Sequence, residues 1–400
     1  MPHHLYQYLI ITINYWIFTV TDGALRMLIV LYFHSLGYNA LAIAMLFLFY
    51  ELFGVITNLV GGWLAALIGL NRTMQIGTFL QVIALIMLTV DPNWLSTGYV
   101  MAAQALSGIA KDLNKMSAKS SIKLLTDKRG SNKLYQWVTV LTGSKNALKG
   151  IGFFVGSLLL AWFGFQQALL MLAASIFITF IATLILLKKN LGKPSIKPKF
   201  HHIFSKSKSI NLLSAARLFL FGARDIWFVI ALPVFMQASL HWSHTEVGSF
   251  MAFWIIGYGV VQSISPLITR NKHDNPPDRT TAVNWALLLT FIPLMIVWGM
   301  NLFPEAYIQI ILLIGLLLFG VVFAINSAVH SFLILEFSKH DRVSLDVGFY
   351  YMANALGRLI GTVLSGVIFQ YYGLLYCLII SSVFILTASI ISMWLPPKKL

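Results

Sequence analysis

The sequence predicts an all-α membrane protein of twelve transmembrane helices, arranged as two pseudo-symmetric bundles of six. Three observations support this prediction: the composition, the spacing of the apolar segments, and the motifs that recur in both halves. Of the 400 residues, 58% are hydrophobic and only 10% are charged, whereas a soluble domain carries about 25% charged residues. A soluble domain could not bury so much apolar surface, so lipid must surround most of the chain.

Twelve apolar segments are long enough to cross a hydrocarbon core of about 30 Å, which requires roughly 20 helical residues. The predicted spans are Tyr8–Phe33, Ala40–Ile68, Thr73–Val90, Trp94–Ala118, Tyr135–Phe163, Phe165–Leu187, Ile210–Ala238, Thr245–Ile268, Thr281–Met300, Ala306–Leu335, Val343–Tyr371 and Leu374–Leu395. We therefore expect an N-terminal six-helix bundle (1–187), a basic cytoplasmic linker (188–209) and a C-terminal six-helix bundle (210–400).

The basic residues outside the spans all fall on one predicted side of the membrane. Of the 28 Lys and Arg residues, 20 lie in the linker, the tails and alternate loops, while the intervening loops hold none. The positive-inside rule then places both termini and the linker in the cytoplasm. Orientation explains the charge of the linker, and attraction to anionic lipid or to a substrate is the alternative. The net charge of +15 consequently gives no reason to expect nucleic-acid binding.

Other classes of function find little support in the sequence. The only cysteine is Cys377, so an internal disulfide is impossible. The first apolar segment is too long for the core of a signal peptide and contains Asp22 and Arg26, so we expect it to be a spanning helix. No spacing of nucleophiles or metal ligands indicates an enzyme, and we expect no catalytic residues, no bound metal and no cofactor.

Matching motifs indicate that the two halves are repeats. The fifth span contains Asn146–Gly152 and the eleventh contains Asn354–Gly361, and each continues to a glycine at its outer end, Gly164 or Gly373. Further matches are the acids Asp22 and Asp225 in spans one and seven, and the turns Gly37–Asn39 and His241–Ser243. Such duplication is typical of transporters with parallel repeats.

Charged residues inside the spans carry the functional prediction. The cations are Arg26, Lys111, Lys115, Lys145, Lys149, Arg217, Arg224 and Arg358, and the acids are Asp22, Glu51, Asp112 and Asp225. Each central charge costs about 2.5–3.5 kcal/mol in lipid, so these side chains must face the bundle interior or a hydrated cavity. Four acids neutralise only four of the eight cations. A transported anion is the simplest way to complete the balance.

Spacing along the helices supports an anion path. Lys111, Lys115, Lys119 and Lys123 recur every four residues and share a helix face, and Lys145 and Lys149 repeat this spacing. At 1.5 Å per residue, Lys145, Arg224 and Arg358 lie near the membrane midplane, where such carriers bind substrate between their halves. The predicted substrate-binding residues are Arg26, Lys111, Lys115, Lys145, Lys149, Arg224, Arg358, Asn146 and Asn354.

Several of these charges have a structural alternative. Asp22 and Arg26 are four residues apart and suit an intrahelical pair, and Arg224 lies beside Asp225. Lys119 and Lys123 suit an orientation signal, Arg217 fits either role, and Glu51 suits a pair with a neighbouring cation. The candidates for proton coupling are Asp22, Glu51, Asp112 and Asp225, because a buried carboxyl is able to exchange a proton near neutral pH.

Two resemblances add to this interpretation. Gly62–Ala65, continuing through Gly69 to Arg72, resembles the signature loop of the major facilitator superfamily, although Ala66 and Leu67 replace its usual acid and base. More specifically, the chain resembles the organoarsenical efflux permeases of bacterial arsenic-resistance operons, the ArsJ family. The strings that carry this likeness are Thr21–Met27, Phe49–Gly54, Gln104–Lys119 and Thr142–Gly150.

The second resemblance implies a substrate and a location. It implies export of 1-arseno-3-phosphoglycerate, formed from arsenate and triose phosphate by glyceraldehyde-3-phosphate dehydrogenase, which would be a functional partner. It also implies a multi-pass protein of the bacterial inner membrane, and we expect a monomer. One alternative is a carrier of another organic phosphate or a carboxylate anion. A membrane enzyme that acts on anionic lipid headgroups is the other.

Overall fold

The computed structural model describes residues 3–38, 45–126, 131–187, 207–228, 231–242, 244–269, 276–339 and 342–397. All regular structure in these ranges is helical. The α-helices are α1 (His3–Ser35), α2 (Leu48–Ile68), α3 (Leu70–Met87), α4 (Thr97–Thr126), α5 (Ser131–Leu186), α6 (Lys208–Phe228), α7 (Ala231–Ala238), α8 (His244–Thr269), α9 (Arg279–Leu302), α10 (Ile308–Phe337) and α11 (Val343–Ser392). Short 3-10 turns at Pro92–Trp94 and Glu305–Tyr307 precede α4 and α10.

The two longest helices, α5 and α11, each contain one break. Gly164 has φ 75° and Gly373 has φ 80°, a left-handed conformation that glycine adopts without a steric cost. Each helix therefore provides two spans, and α6 with α7 covers the seventh. The described residues then contain twelve spans, which confirms the predicted fold class. The two outer turns also match, because Gly37 (φ 88°) and His241 (φ 56°) are both left-handed.

Six helical segments in the described part of the chain are long and apolar enough to cross a membrane by length and composition: Leu48–Ile68, Leu158–Leu186, Ser249–Thr269, Arg279–Leu302, Glu305–Phe337 and Val343–Ser392. The remaining helices include α4 and α6, which carry several charges each. In a membrane those charges are tolerated only where they face protein or water.

The helices form two compact units. The first unit contains Met1–Gly130, Ser144–Ser205 and Ser338–Met352, and the second contains Ser131–Gly143, Lys206–Phe337 and Ala353–Leu400. The first part of α5 thus packs in the second unit, and the first part of α11 packs in the first. The predicted linker falls largely outside the described residues, since 188–206 are not described.

The first unit is held together by a close crossing of α1 and α5. A Cβ atom added at Gly152 would lie 2.5 Å from the carbonyl oxygen of Val20 and 3.1 Å from the Cα of Gly23. Small residues at such crossings let two helix backbones approach closely. An apolar core lies toward one end of this crossing, where Tyr32 stacks on Phe165 with 4.0 Å between ring centroids.

The second unit repeats this crossing between α6 and α11. A Cβ atom at Gly361 would lie 2.5 Å from the carbonyl oxygen of Gly222 and 3.0 Å from the Cβ of Asp225. Its core is rich in aromatic residues, and the fully buried ring of Trp227 packs against Trp254 and Phe319. Since Gly152 and Gly361 lie at matching positions of the predicted repeats, the crossings agree with a duplicated unit.

Helix boundaries agree with the predicted spans to within a few residues except at the start of α2 and at the end of α4. The second span was predicted from Ala40, whereas α2 begins at Leu48 and residues 39–44 lie outside the described ranges.

The prediction ends the fourth span at Ala118 and assigns Lys119 to a loop, which is wrong. The helix continues to Thr126, and Lys119 is buried within it. Hydropathy falls at Lys119, but the residues around it, including Ser120 and Ser121, are also buried against protein. A prediction from hydropathy therefore ends the helix too early, because small polar side chains that pack inward lower the hydropathy of its last turns.

Candidate substrate site

In the first unit, the carboxylate of Asp112 is shared by two lysines on α4. Lys115 Nζ forms an ion pair with Asp112 Oδ1, and Lys111 Nζ lies 3.6 Å from Asp112 Oδ2. A Cβ atom added at Gly54 would lie 2.7 Å from Asp112 Oδ2, so glycine on α2 provides the space for this carboxylate. Two cations and one carboxylate leave the Asp112 cluster (Lys111, Asp112 and Lys115) with a net charge of +1.

Tyr50 on α2 connects these lysines to α1. Its hydroxyl donates a 2.6 Å hydrogen bond to Asp22 Oδ1, and Lys111 Nζ lies 3.7 Å from the centre of its ring. Arg26 lies 4.9 Å from the same ring and forms an ion pair with Glu51 at 3.4 Å. The pair of Glu51 with a cation, proposed above as an alternative, is therefore present. Asp22 and Arg26, although four residues apart on α1, have these partners on α2.

Lys119 continues the row of lysines toward the first part of α11. Its ammonium group donates a 2.5 Å hydrogen bond to the hydroxyl of Tyr351, and Lys115 lies 4.9 Å from the Tyr351 ring. Lys123 belongs to the same predicted row, but its side chain lies outside the described residues. Because Lys119 is buried and contacts an aromatic residue, we add it to the candidate site, while its role as an orientation signal stays a prediction.

The fifth-span candidates Lys145, Lys149 and Asn146 are all half-buried on α5. Ser144 accepts a 2.7 Å hydrogen bond from the indole nitrogen of Trp16, which fixes this stretch of α5 against α1. The carbonyl oxygen of Lys149 lies at the crossing with Gly23. This places the backbone of the two lysines in the first unit beside the helix that carries Asp22.

In the second unit, the carboxylate of Asp225 is shared by two arginines. Arg224 Nε donates to Asp225 Oδ1 at 2.6 Å, and Arg358 Nε donates to Asp225 Oδ2 at 3.2 Å. The pair of Arg224 with its neighbour, given above as an alternative, is present, but the same acid also serves Arg358 on α11. The Asp225 cluster (Arg224, Asp225 and Arg358) therefore also has a net charge of +1.

Aromatic rings surround the first of these arginines. The guanidinium carbon of Arg224 lies 5.1 Å from the ring centre of Phe221, 5.8 Å from that of Phe228 and 5.7 Å from that of Phe323. The faces of aromatic rings attract cations, more strongly where water is excluded. The rings thus help to hold a positive charge inside the second unit.

Arg217 lies deeper, among neutral polar groups. Its guanidinium stacks 3.8 Å from the centre of Phe221 and donates to Asn354 Oδ1 at 2.9 Å and to the hydroxyl of Ser327 at 3.1 Å. Asn354, a predicted substrate ligand, is therefore engaged by Arg217. His330 and Asn326 are fully buried nearby on α10.

Exposure separates the acids from the cations in both clusters. The side chains of Asp112 and Asp225 are 2% and 0% exposed, whereas those of Lys111 and Arg358 are 16% and 33% exposed. The carboxylates thus lie beneath the cations, and the cations retain accessible surface. Such an arrangement offers donors to an anion, because arginine presents paired donors to oxygen atoms and lysine a compact positive charge.

Within each unit the structure groups several of the predicted charges around one acid, but the sequence analysis did not single out the aromatic residues that contact them. Tyr50 and Tyr351 contact four of the cations, yet the chain has 15 tyrosines and 29 phenylalanines, so their type gave no signal. The position of Tyr50 directly before Glu51 was the only indication. In the described residues no group of three His, Cys, Asp or Glu side chains is placed to bind a metal ion.

Comparison with known families gives a match over nearly the whole chain. The family model of the Major Facilitator Superfamily matches residues 11–277 and 213–400. A comparison with curated proteins finds no significant match.

Solved structures with the same fold cover almost all of the chain. A bacterial homologue of the iron transporter ferroportin, in its outward-facing state, superposes with a TM-score of 0.76 at 14% identity, covering 98% of this chain and 99% of that one. The human organic anion transporter MFSD10 (TETRAN) gives 0.75 at 14% identity, covering 98% and 100%. The fucose:proton symporter of E. coli gives 0.76 at 10% identity, covering 99% and 100%.

Proposed function

Because the chain belongs to the Major Facilitator Superfamily, a family of membrane transporters and not of enzymes, we propose that it is a secondary active transporter that exports an organic anion by alternating access. The substrate that fits best is 1-arseno-3-phosphoglycerate, and its export would confer resistance to arsenate. The protein would act in the bacterial inner membrane as a monomer with both termini in the cytoplasm. Glyceraldehyde-3-phosphate dehydrogenase would supply the substrate without a need for physical contact.

The observation that carries this proposal is the sharing of one buried carboxylate by two cations in each unit. Asp112 serves Lys111 and Lys115, and Asp225 serves Arg224 and Arg358. The excess charge of each cluster is positive, and the cations are the part that remains accessible. An ester that carries several negative oxygens complements such clusters through charge-assisted hydrogen bonds, each contributing about 1.5–3 kcal/mol.

The arsenylated substrate is supported by the resemblance to the organoarsenical permeases. The strings of that resemblance contain the Asp112 cluster together with Asp22, Tyr50 and Glu51, so the likeness includes the unusual charges of the first unit. An anionic substrate also agrees with the printed name of one structural neighbour, an organic anion transporter, although at 14% identity that protein indicates only a shared fold.

The deciding experiment measures solute flux in everted membrane vesicles that contain the full-length protein. Arsenate, triose phosphate, the dehydrogenase and NAD⁺, which accepts the two electrons released when the aldehyde is oxidised, are supplied together outside, and accumulation of arsenic inside is followed with and without each component. We expect uptake only when all four are present. Uptake that does not depend on the dehydrogenase contradicts the proposed substrate, and equal competition by plain 3-phosphoglycerate favours a carrier of ordinary phosphate esters.

A pair of matched variants connects this flux to the clusters. Lys111→Gln removes one cation of the Asp112 cluster, and we expect the apparent affinity to fall about tenfold or more, since a charge-assisted hydrogen bond of about 1.5–3 kcal/mol is lost. Lys339→Gln removes the same charge from an exposed position and serves as the control. If both variants have the same KM, Lys111 does not bind the substrate.

A further inference from the structure

A groove on the first unit contains no residue of the Asp112 cluster. It has a volume of about 440 Å³ and runs between α3 and the second half of α5. Its lining residues are Ile68, Arg72, Gln75, Ile76, Phe79, Leu80, Phe180 and Leu184. Apart from Arg72 and Gln75 these side chains are apolar, so the groove is an apolar channel with a polar end.

The walls of the groove are exposed on the helix surface. Ile76, Phe79 and Leu184 are 40%, 42% and 45% exposed, and the rings of Phe79 and Phe180 lie 5.2 Å apart. Gln75 donates a 3.0 Å hydrogen bond to the carbonyl oxygen of Thr183 and so joins the two helices near the polar end. In a protein surrounded by lipid, an exposed apolar channel of this kind faces acyl chains.

Arg72 provides the charge at one end of the groove. It lies in the first turn of α3, directly after the left-handed turn at Gly69, and on the side of the membrane predicted to be cytoplasmic. Its side chain is exposed, and no residue in the described ranges pairs with it. The eight lining residues contain this one cation and no acid. A negatively charged headgroup therefore fits the groove, whereas a headgroup that carries an amine would find no carboxylate there.

We propose that this groove binds one anionic phospholipid of the cytoplasmic leaflet. The phosphate accepts hydrogen bonds from the guanidinium of Arg72, and one acyl chain follows the apolar channel past Leu184 toward Phe79 and Phe180. Basic pockets between transmembrane helices on the cytoplasmic side are suited to such headgroups, and a guanidinium matches phosphate oxygens in pairs. The site does not depend on the identity of the transported solute.

The test uses the purified full-length protein in detergent, with bound lipid counted by native mass spectrometry. Dioleoyl phosphatidylglycerol and dioleoyl phosphatidylcholine are added at equal concentration. We expect one molecule of phosphatidylglycerol to be retained by a clearly larger fraction of the protein than retains phosphatidylcholine. Arg72→Gln should weaken that binding about fivefold, as expected for one basic residue at the membrane surface, and Leu184→Trp should weaken it by filling the channel.

Lys208→Gln is the matched control, because Lys208 is also an exposed cation at the start of a helix on the same predicted side. Equal retention of both lipids, or equal behaviour of Arg72→Gln and Lys208→Gln, overturns the proposal. Displacement of the lipid by free glycerol 3-phosphate also overturns it, since a headgroup alone would then suffice. If Leu184→Trp fails to fold, Leu184→Phe replaces it in the same comparison.

Discussion

At the scale of single residues, Tyr50 lies between two carboxylates of the first unit that are candidates for proton coupling. Its hydroxyl donates to Asp22, while the neighbouring Glu51 pairs with Arg26. Asp22 therefore has a neutral partner and Glu51 has a charged one. The structure thus gives the two acids different partners, and we propose Asp22 or Glu51 as the residue that couples transport to protons.

Substitution of each acid by its amide tests this coupling. We expect at least one of Asp22→Asn and Glu51→Gln to abolish transport driven by a pH difference, because the amide has no titratable proton, and to retain exchange of substrate at equal pH. Both variants are measured in the same way, and Asp91→Asn in an exposed loop is the control. If Asp22→Asn and Glu51→Gln both keep full pH-driven flux, neither acid couples transport to protons.

At the scale of helices, two glycine crossings give the units their packing. Gly152 and Gly361 have backbone carbonyl oxygens where a side chain would begin. Gly152→Ala or Gly361→Ala must push the helices apart, and overpacking of this kind typically costs about 1–3 kcal/mol. We therefore expect each variant to lower the midpoint of thermal unfolding in detergent by several degrees.

The same substitution at Gly257 on α8 provides the control. A Cβ atom there meets no other atom within 4 Å, and alanine in a helix is favoured over glycine by about 0.5–1 kcal/mol. Gly257→Ala should leave the unfolding midpoint unchanged or raise it slightly. A drop at Gly257 as large as at Gly152 would show that the crossings have no special role in stability.

The sequence predicted the helices more completely than it predicted the contacts between them. Apolar length, the glycines at the breaks and the repeated motifs are local signals, so the spans follow from them. The partner of Arg26 does not, since spacing suited Asp22 on the same helix as one alternative, and the structure pairs Arg26 with Glu51 on another helix. The burial of Lys119 was missed for the same reason, because Tyr351 is distant in sequence.

At the scale of the whole molecule, the orientation in the membrane is open to a direct test. Cys377 is the only cysteine in the chain and is buried, so single cysteines are readily introduced at exposed positions. We expect Ser96→Cys, in the loop before α4, to react with an impermeant maleimide in intact cells. Lys339→Cys, between α10 and α11, should react only after the cells are opened.

This expectation follows from the distribution of basic residues, which places the loop of Ser96 outside and the loop of Lys339 inside. The unaltered chain is the control, and its buried thiol should give little labelling. The reverse pattern, with Lys339→Cys labelled in intact cells, would invert the topology. It would also move Arg72 and the proposed lipid site to the outer leaflet.

Because two bases share one acid, substitution of the acid should be tolerated less often in evolution than substitution of either base. Loss of a lysine from the Asp112 cluster leaves a neutral ion pair, which costs less in a nonpolar environment than an unpaired charge. Loss of Asp112 leaves two ammonium groups with no help from that carboxylate, and the penalty for uncompensated charge in a nonpolar interior is severe. Random drift should therefore exchange or discard the bases of such a lineage, and with them its choice of cargo, long before it discards the aspartates.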